Sequence, residues 1–142
     1  MNVLAHSAAL VLAAQVAELR RAAAWLHAEA GARAVPDEDI ARLDLCLHEA
    51  LANVLDHSGL AADAEVRLRL QVGDGSATLT LDDGGAPYDL TQAVVAARPL
   101  TLEDTEPGGL GVLMLRSQAD QLEYEYIDGS NHLHITVRWS AA

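Results

Sequence analysis

The sequence predicts an α+β fold, a two-layer α/β sandwich in which helices pack on one face of a single sheet. Two observations favour this class. The first 58 residues carry the apolar spacing of helices, whereas the chain from residue 66 onward alternates apolar and polar side chains with the period of a strand. At 142 residues, 51% of them hydrophobic, the chain suits a single domain that spans 1–142 and has one core.

Two helices are predicted in the first part of the chain. Residues 9–30 are rich in alanine and lack proline and glycine, and a glycine follows them. Residues 2–6 before this helix are compatible with a short strand or a loose arm. After a linker at 31–36, three acidic residues suit the positive end of a second helix, which is predicted to end near Ser58–Gly59. The apolar stripe of the first helix comprises Leu12, Val16, Leu19, Ala23 and Leu26.

The rest of the chain predicts two hairpins separated by a loop and a third helix. Each hairpin has two alternating segments on either side of a glycine-containing turn. Residues 88–107, between the hairpins, contain two prolines and have no clear period. In chain order we predict strands at 66–71 and 77–81, a loop at 88–107 with a short helix near 90–97, a helix within 108–120, and strands at 122–127 and 132–139.

The charge balance is strongly acidic. The formal net charge is −12, and all nine basic residues are arginines. This balance disfavours direct binding to nucleic acid, because a phosphate backbone needs cationic partners. It is compatible with one bound nucleotide, which backbone N–H groups and a metal ion can hold.

Cysteine content and hydropathy bear on the compartment. Cys46 is the only cysteine, so no internal disulfide is expected, and its place on the apolar side of a helix predicts a buried thiol. No apolar run reaches membrane-spanning length, and no basic segment precedes the short run at 8–14. We therefore expect a cytoplasmic protein without membrane association.

The second helix carries three polar side chains on one side. Glu49, Asn53 and His57 follow one another at intervals of four residues. An Asn oxygen is a suitable Mg²⁺ ligand, and a Glu one turn earlier is suited to accept a proton beside the metal. Taken alone, this pattern is more often a solvated helix face. A zinc site is not favoured, because the other histidines show no ligand spacing.

An acidic, glycine-rich segment follows the second predicted strand. The sequence LTLDDGGAP at 79–87 presents carboxylates at a strand end, and Gly84 would let a flat ligand approach the backbone. A carboxylate there is suited to accept a hydrogen bond from an exocyclic amine such as that of adenine. The alternatives are an ordinary acidic turn, which is favoured for the segment alone, and a calcium loop, whose alternating ligand pattern is absent.

A third signal is GGLG at 108–111, which opens the third predicted helix. Glycines before a helix free backbone N–H groups to point at an anion, and the helix dipole adds to the attraction. The alternative is a flexible turn, and neither the P-loop pattern nor the full dinucleotide fingerprint is present.

The order of these three signals is more specific than any one of them. The chain resembles the GHKL ATP-binding superfamily, and within it the RsbW-type serine/threonine kinases that act as anti-sigma factors. The resemblance covers roughly residues 8–139. It is carried by LDLCLHEALANVLDHS at 43–58, LTLDDGGAPYD at 79–89, GGLGVLMLRSQADQLEYEY at 108–126 and SNHLHITV at 130–137.

The resemblance implies a Bergerat-type fold with a mixed sheet, an ATP and Mg²⁺ site, and roles for individual residues. Asn53 would ligate Mg²⁺, and Glu49 would be the general base toward a substrate hydroxyl. Asp82 would accept from the adenine amine with Gly84 close to the ring. The remaining nucleotide-binding residues implied in this way are His57, Ala86, Gly108, Gly109, Leu110, Gly111 and Asn131.

The chain departs from the family pattern in two places. The family's first glycine box runs from Asp-x-Gly through two residues to an aromatic, and counted from Asp82 this chain carries one residue more, so Asp82 and Asp83 are interchangeable candidates. The predicted lid near 90–107 is acidic, with Arg98 as its only cation, which makes ATP binding better supported than phosphoryl transfer.

Two functions remain open on this basis. The first is an ATP-dependent serine/threonine kinase that acts as an anti-sigma factor and phosphorylates a small STAS-type antagonist, with the sigma factor and antagonist as partners. The second is an ATP-binding partner-switch module with little or no kinase activity. The wide apolar stripe of the first helix, together with Trp25, also predicts a homodimer.

Overall fold

The computed structural model describes residues 7–91 and 115–140. Within them the chain forms two long helices and five strands, with a short 3₁₀ turn at Val16–Glu18. A helical segment is also present at 115–118. The elements are β1 (Ser7–Ala13), α1 (Leu19–Ala32), α2 (Asp37–His57), β2 (Glu65–Gly73), β3 (Ser76–Asp83), β4 (Gln121–Ile127) and β5 (Ser130–Arg138).

The five strands form one sheet in the order β1-β2-β3-β5-β4. This arrangement confirms the predicted α+β class and both hairpins. All four strand pairs among the described residues are antiparallel, whereas a mixed sheet was expected. The antiparallel order follows from the connections, because β2–β3 and β4–β5 are joined by tight turns that reverse the chain.

The register divides the sheet into an apolar face and a polar face. Leu68, Leu81 and Leu133 lie opposite one another on β2, β3 and β5, and all three are buried. Both helices cover this face: α1 packs on β1 and β2, and α2 packs on β3 and β5. The opposite face carries arginine, threonine and histidine side chains, so the core lies between one sheet face and one helical layer.

Cys46 lies in this core, as predicted. It is fully buried on α2, and burial raises the pKa of its thiol to about 12. The thiol is therefore protonated near neutral pH and is a packing group rather than a nucleophile. None of the helices in the described ranges combines the length and hydropathy that a bilayer crossing requires.

The predicted helix at 9–30 is wrong in its first part. Residues Ser7–Ala13 form the edge strand β1, which pairs with β2, and α1 begins only at Leu19. The period of a short apolar run does not distinguish a strand from a helix. Here the run forms a strand because it pairs with the edge of β2. Leu12 lies in the strand and is buried there, whereas Val16, another residue of the predicted helical stripe, is 74% exposed.

The ends of the two helices also differ in detail. α1 continues past Gly31 to Ala32, and Ala34 takes the left-handed conformation (φ 63°) that ends the helix. Hydrogen bonds from the N–H groups of Ala34 and Val35 back to α1 carbonyls satisfy its last turn. The predicted end of α2 is confirmed: its last residue is His57, and Gly59 follows with φ 63°.

β3 and β5 are longer than predicted, and the extra residues include candidate site residues. β3 continues through Asp82 to Asp83, so both carboxylates belong to a strand rather than a turn. β5 begins at Ser130, because Asp128 and Gly129 alone form the turn with positive φ at both positions. Asn131 is therefore a strand residue, paired with Asp83.

Arg42 of α2 fastens the helix to the chain that follows residue 114. Its guanidinium donates to the carbonyl of Gln118 at 2.6 and 3.0 Å and contacts the Asp120 carboxylate at 3.0 Å. Asp120 also accepts the backbone N–H of Arg138. These hydrogen bonds, first that from Arg138 and then those from Arg42, lower the pKa of Asp120.

We expect Asp120→Asn to make stability less dependent on pH. A carboxyl whose pKa is lowered by folding stabilises the native state above its unfolded pKa, and this contribution is lost as pH falls through the folded pKa. The variant should be less stable than the wild type near neutral pH, and the difference should shrink in acid below the ordinary Asp range. Urea unfolding across pH measures this. The control is Asp63→Asn, because Asp63 is exposed and has no recorded partner within 7–91 and 115–140; an equal effect of both variants would contradict the assignment.

Candidate nucleotide site

A pocket opens between α2, the ends of β3 and β5, and the segment that follows β3. Its polar lining includes a carboxylate, two amides and two phenols, and its floor is apolar. The lining residues are Ala50, Asn53, Val54, Ser58, Leu81, Asp83, Tyr88, Leu90, Tyr124, Asn131 and Leu133.

Asp83 is the carboxylate of this pocket. It follows Leu81 by two residues on β3, so its side chain lies on the same face as the buried leucine. Asp83 is only 5% exposed, and its Oδ1 accepts hydrogen bonds from the Gly85 N–H at 2.9 Å and the Asn131 amide at 3.0 Å. Among the described residues both hydrogen bonds to this carboxylate fall on Oδ1, and none is recorded on Oδ2, which suits an acceptor for a ligand.

Asp82, the predicted adenine ligand, lies on the opposite face of the sheet. Its carboxylate contacts His132 Nδ1 at 2.5 Å and Arg69 at 3.5 Å across the neighbouring strands. Adjacent residues of a strand point to opposite faces, and the helix-covered face belongs to Asp83. The structure therefore brings Asp83, not Asp82, to the pocket.

Gly85 holds the segment after β3 against the end of α2. A Cβ atom placed on Gly85 would meet the Ser58 carbonyl oxygen and Cβ at 2.4 Å each, so only glycine fits. The next residue continues the contact, since the Ala86 N–H donates to the Ser58 carbonyl at 2.9 Å. Gly84, the glycine predicted to approach a ligand, is exposed, and a Cβ there would meet nothing within 4 Å.

Asn131 joins this segment to the sheet. Its amide nitrogen donates to Asp83 Oδ1 and to the carbonyls of Gly85 and Ala86, and its oxygen accepts the Tyr88 N–H and the Tyr124 hydroxyl. The side chain is 5% exposed and lies in the pocket wall. Burial raises the pKa of the Tyr124 hydroxyl, which keeps it a hydrogen-bond donor.

His57, another predicted nucleotide residue, lies at the rim. It is the last residue of α2 and is exposed, and its ring stacks on Tyr88 with the centroids 4.3 Å apart and the planes at 10°. Tyr88 lines the pocket, so the stack ties the rim to the helix end. Ala86 is exposed and contributes its backbone groups to Ser58 and Asn131.

Glu49 and Asn53 lie on successive turns of α2, as their spacing predicts. Asn53 is 7% exposed and lines the pocket, and its amide nitrogen donates to the Glu49 carbonyl at 2.8 Å. Its Oδ1 has no recorded partner among the described residues, which suits a cation ligand. Glu49 is half-buried, and in the same part of the chain no cation or N–H is recorded on its carboxylate.

A magnesium ion held by several protein carboxylates does not fit the site. Residues 7–91 and 115–140 contain no group of three or more histidine, cysteine or acidic side chains arranged for a metal. One amide oxygen from Asn53 is nevertheless compatible with Mg²⁺, which keeps several waters and takes its other ligands from phosphates. The predicted phosphate-binding residues Gly108, Gly109, Leu110 and Gly111, and Arg98 of the predicted lid, lie outside the described residues.

The sequence prediction named Asp83 only as the alternative to Asp82, and it did not select Gly85, Ser58, Tyr88 or Tyr124. The spacing of the sequence could have identified three of these residues, Asp83, Gly85 and Tyr88. Counted from Asp83, residues 83–88 have the order Asp-x-Gly-x-x-Tyr, which is the spacing of the glycine box that does not fit from Asp82. The glycine box therefore fits the family pattern without an extra residue when it begins at Asp83 instead of Asp82.

The match to a protein family agrees with this geometry. The model of the histidine kinase-like ATPase domain matches residues 12–139. The chain belongs to this family. The pocket, with its glycine box on one side and the polar side of α2 on the other, lies within the matched region of the histidine kinase-like ATPase domain.

Individual relatives agree with the family. The chain is 37% identical over 95 residues to the serine/threonine-protein kinase BtrW of Bordetella bronchiseptica, an alignment that covers 66% of this chain and 67% of BtrW. It is similar to the crystal structure of the RsbU and RsbW domains of Rv1364c from Mycobacterium tuberculosis, with a TM-score of 0.66 and 16% identity. That match covers 93% of this chain and 32% of the other.

A second structural neighbour is the SiaB-SiaC complex from Pseudomonas aeruginosa. The TM-score is 0.63 at 11% identity, and the match covers 92% of this chain and 88% of the other. At these identities both structures support the fold alone. They confirm that the α+β arrangement of this chain is a fold that these solved structures share.

The two adjacent glycines of the box should respond differently to alanine. Gly85→Ala should lower the free energy of unfolding by about 1–3 kcal/mol, because its Cβ would overlap Ser58 backbone and side-chain atoms. Gly84→Ala, which has open space, should stay within about 0.5 kcal/mol of the wild type. Denaturant unfolding of both variants measures this. Equal destabilisation would show that the box does not pack against α2 as described.

Proposed function

We propose that the chain is an ATP-dependent serine/threonine-protein kinase that acts as an anti-sigma factor in a partner-switching pathway. The observation that carries the proposal is the pocket of a histidine kinase-like ATPase domain, in which Asp83 and Asn53 each offer one oxygen that has no recorded partner in the part of the chain that the structure describes. The similarity to a protein kinase, BtrW, supports the kinase assignment.

The adenine end of the site is assigned to Asp83. A buried carboxylate with one oxygen fixed by Gly85 and Asn131 has its other oxygen available for an exocyclic amine. The apolar floor formed by Leu81, Leu133 and Ala50 suits the faces of a purine ring. Asp82 is not proposed as a ligand, because it is paired with His132 on the other face.

The reactive end is assigned to Asn53 and Glu49. Asn53 would hold Mg²⁺ through Oδ1, since its amide nitrogen already donates a hydrogen bond to a backbone carbonyl of the same helix. A magnesium ion bound there would neutralise phosphate charge during phosphoryl transfer. The Glu49 carboxylate, one turn away and without a recorded cation partner, would accept the proton of the substrate hydroxyl. Gly108, Gly109, Leu110 and Gly111 are proposed to contact the phosphates on the resemblance alone.

The proposed partners are a sigma factor and a small STAS-type antagonist that receives the phosphate. The likeness to BtrW and to the fold of the RsbW domain and of SiaB supports a partner-switching role. A cytoplasmic location is proposed with this role. The homodimer stays a prediction, supported by the apolar surface that Val11 and Val16 expose near the start of α1.

The alternative is an ATP-binding partner-switch module with little or no kinase activity. Its support is the acidic composition of the segment that follows the described pocket, in which Arg98 is the only cation between residues 92 and 107. The two functions share the pocket and differ in phosphate transfer, so binding and transfer must be measured separately.

We expect Asp83→Asn to weaken ATP binding by about tenfold or more, because an amide cannot replace both acceptor oxygens of a buried carboxylate. Asp82→Asn is the matched control and should leave the affinity nearly unchanged. Calorimetry with ATP, with and without Mg²⁺, measures both. A larger loss of ATP affinity in Asp82→Asn than in Asp83→Asn would show that Asp82 contacts the adenine, as first predicted. Absence of ATP binding by the wild type would refute the proposed function.

Glu49→Gln should separate binding from chemistry. We expect ATP affinity to be retained and phosphate transfer to fall by about 10²- to 10⁴-fold, since the amide cannot accept the hydroxyl proton. The measurement is transfer from labelled ATP to STAS-type proteins of the same organism, with Glu38→Gln, an exposed acid at the start of α2, as control. Full transfer by Glu49→Gln would remove the base role, and no transfer by the wild type would favour the binding module.

A further inference from the structure

Asn131 has no hydrogen-bonding capacity left for a nucleotide. Its nitrogen donates to Asp83 Oδ1 at 3.0 Å and to the carbonyls of Ala86 and Gly85 at 3.0 and 3.3 Å. Its oxygen accepts from the Tyr88 N–H at 3.2 Å and from the Tyr124 hydroxyl. A carboxamide has two donor hydrogens and two acceptor lone pairs, and all four are engaged.

The partners of Asn131 are the groups that shape the pocket. Asp83 supplies the proposed adenine acceptor, and the Gly85 and Ala86 carbonyls belong to the segment that packs on Ser58. Tyr88 continues this segment to the rim. One buried side chain on β5 thus fixes the orientation of the Asp83 carboxylate and the path of the backbone after it.

We propose that Asn131 is a positioning residue that sets the base specificity of the site by directing Asp83 Oδ2 at the purine, with Tyr124 holding Asn131 in turn. The proposal rests on the assignment of ATP to this pocket. It changes the role predicted from the sequence, in which Asn131 contacts the nucleotide itself. It also adds Tyr124, which the resemblance does not assign.

The energetic argument concerns the free oxygen of Asp83. A carboxylate that accepts two hydrogen bonds on Oδ1 has its rotation about the Cβ–Cγ bond fixed, so Oδ2 occupies one position before the ligand arrives. Without the Asn131 donor, only the Gly85 N–H of the adjoining segment would hold it. A rotated carboxylate would discriminate poorly between a ring with an amine and a ring with a carbonyl at the corresponding position.

The test uses Asn131→Asp, which keeps the shape of the side chain and one acceptor oxygen but replaces the donating NH₂ group with a second oxygen that carries negative charge when ionised. In the wild type the Asn131 amide nitrogen and Asp83 Oδ1 are 3.0 Å apart. At about pH 8 the variant would place two carboxylates at this distance, so we expect ATP affinity to fall by about tenfold or more. At about pH 6 the affinity relative to wild type should recover, because like charges raise the pKa of one carboxyl and its proton restores a donor.

The other titratable groups around this position come from three elements. They are Tyr124 and Tyr126 on β4, Tyr88 and Asp89 in the segment after β3, and His57 stacked on Tyr88. Each of them is present in the wild type and in the variant, so affinity is compared as the ratio of variant to wild type at each pH. Gln71→Glu, which adds the same charge on the open sheet face, is the matched control and should not change that ratio.

Base discrimination separates positioning from a purely structural role. We expect the preference for ATP over GTP to fall severalfold in Asn131→Asp at about pH 8, whereas a variant that is only less stable would keep the ratio among its folded molecules. Tyr124→Phe, which removes one donor to Asn131, should shift the same ratio in the same direction by less, and it serves if Asn131→Asp does not fold.

The outcomes distinguish this inference from the proposed function. A wild type that binds neither nucleotide refutes the proposed function. A wild type that binds ATP, with Asn131→Asp and Tyr124→Phe showing unchanged affinity and unchanged ATP preference at both pH values, refutes the positioning role alone. Loss of affinity in Asn131→Asp that is equal at both pH values and for both nucleotides would also refute it.

Discussion

The pairing of β3 with β5 is the constraint on which the rest of the site depends. It places Asp83 opposite Asn131 at one end of the sheet, on the face that the helices cover. Two strand positions earlier, Leu81 pairs with Leu133 in the core, so the same register that fills the core also aligns the polar pair. A shift by one residue would expose these leucines to solvent, which makes the position of Asp83 as well defined as the hydrophobic core itself.

From this pair, hydrogen bonds lead outward to both layers of the fold. Asn131 holds the carbonyls of Gly85 and Ala86, and these residues rest on Ser58 at the end of α2. The segment after β3 therefore bridges the sheet and the helical layer. The helix that it contacts is the one that carries Asn53 and Glu49, so the adenine end and the reactive end of the proposed site are positioned by a single connected set of buried contacts.

The sequence predicts the layers of this fold better than it predicts which carboxylate lies in the site. Amphipathic periodicity located α2 and all four hairpin strands, because each buries one face continuously. It failed at β1, whose short apolar run takes its conformation from the free edge of β2. It also did not choose between Asp82 and Asp83. The spacing of the glycine box favours Asp83, but the carboxylate that lies on the helix-covered face is set by the pairing of β3 with β5, a contact between residues 48 positions apart.

The two amide side chains of the pocket wall are hydrogen-bonded within the protein. Asn131 is saturated, and the nitrogen of Asn53 is used within its own helix. Burial of a polar group without a partner is costly, so these internal hydrogen bonds stabilise the pocket wall. Among the described residues, Oδ2 of Asp83 and Oδ1 of Asn53 have no recorded partner. Both are acceptors, so the site complements a ligand that brings an N–H donor to one and a cation to the other, which is the chemistry of a purine nucleotide with its metal ion.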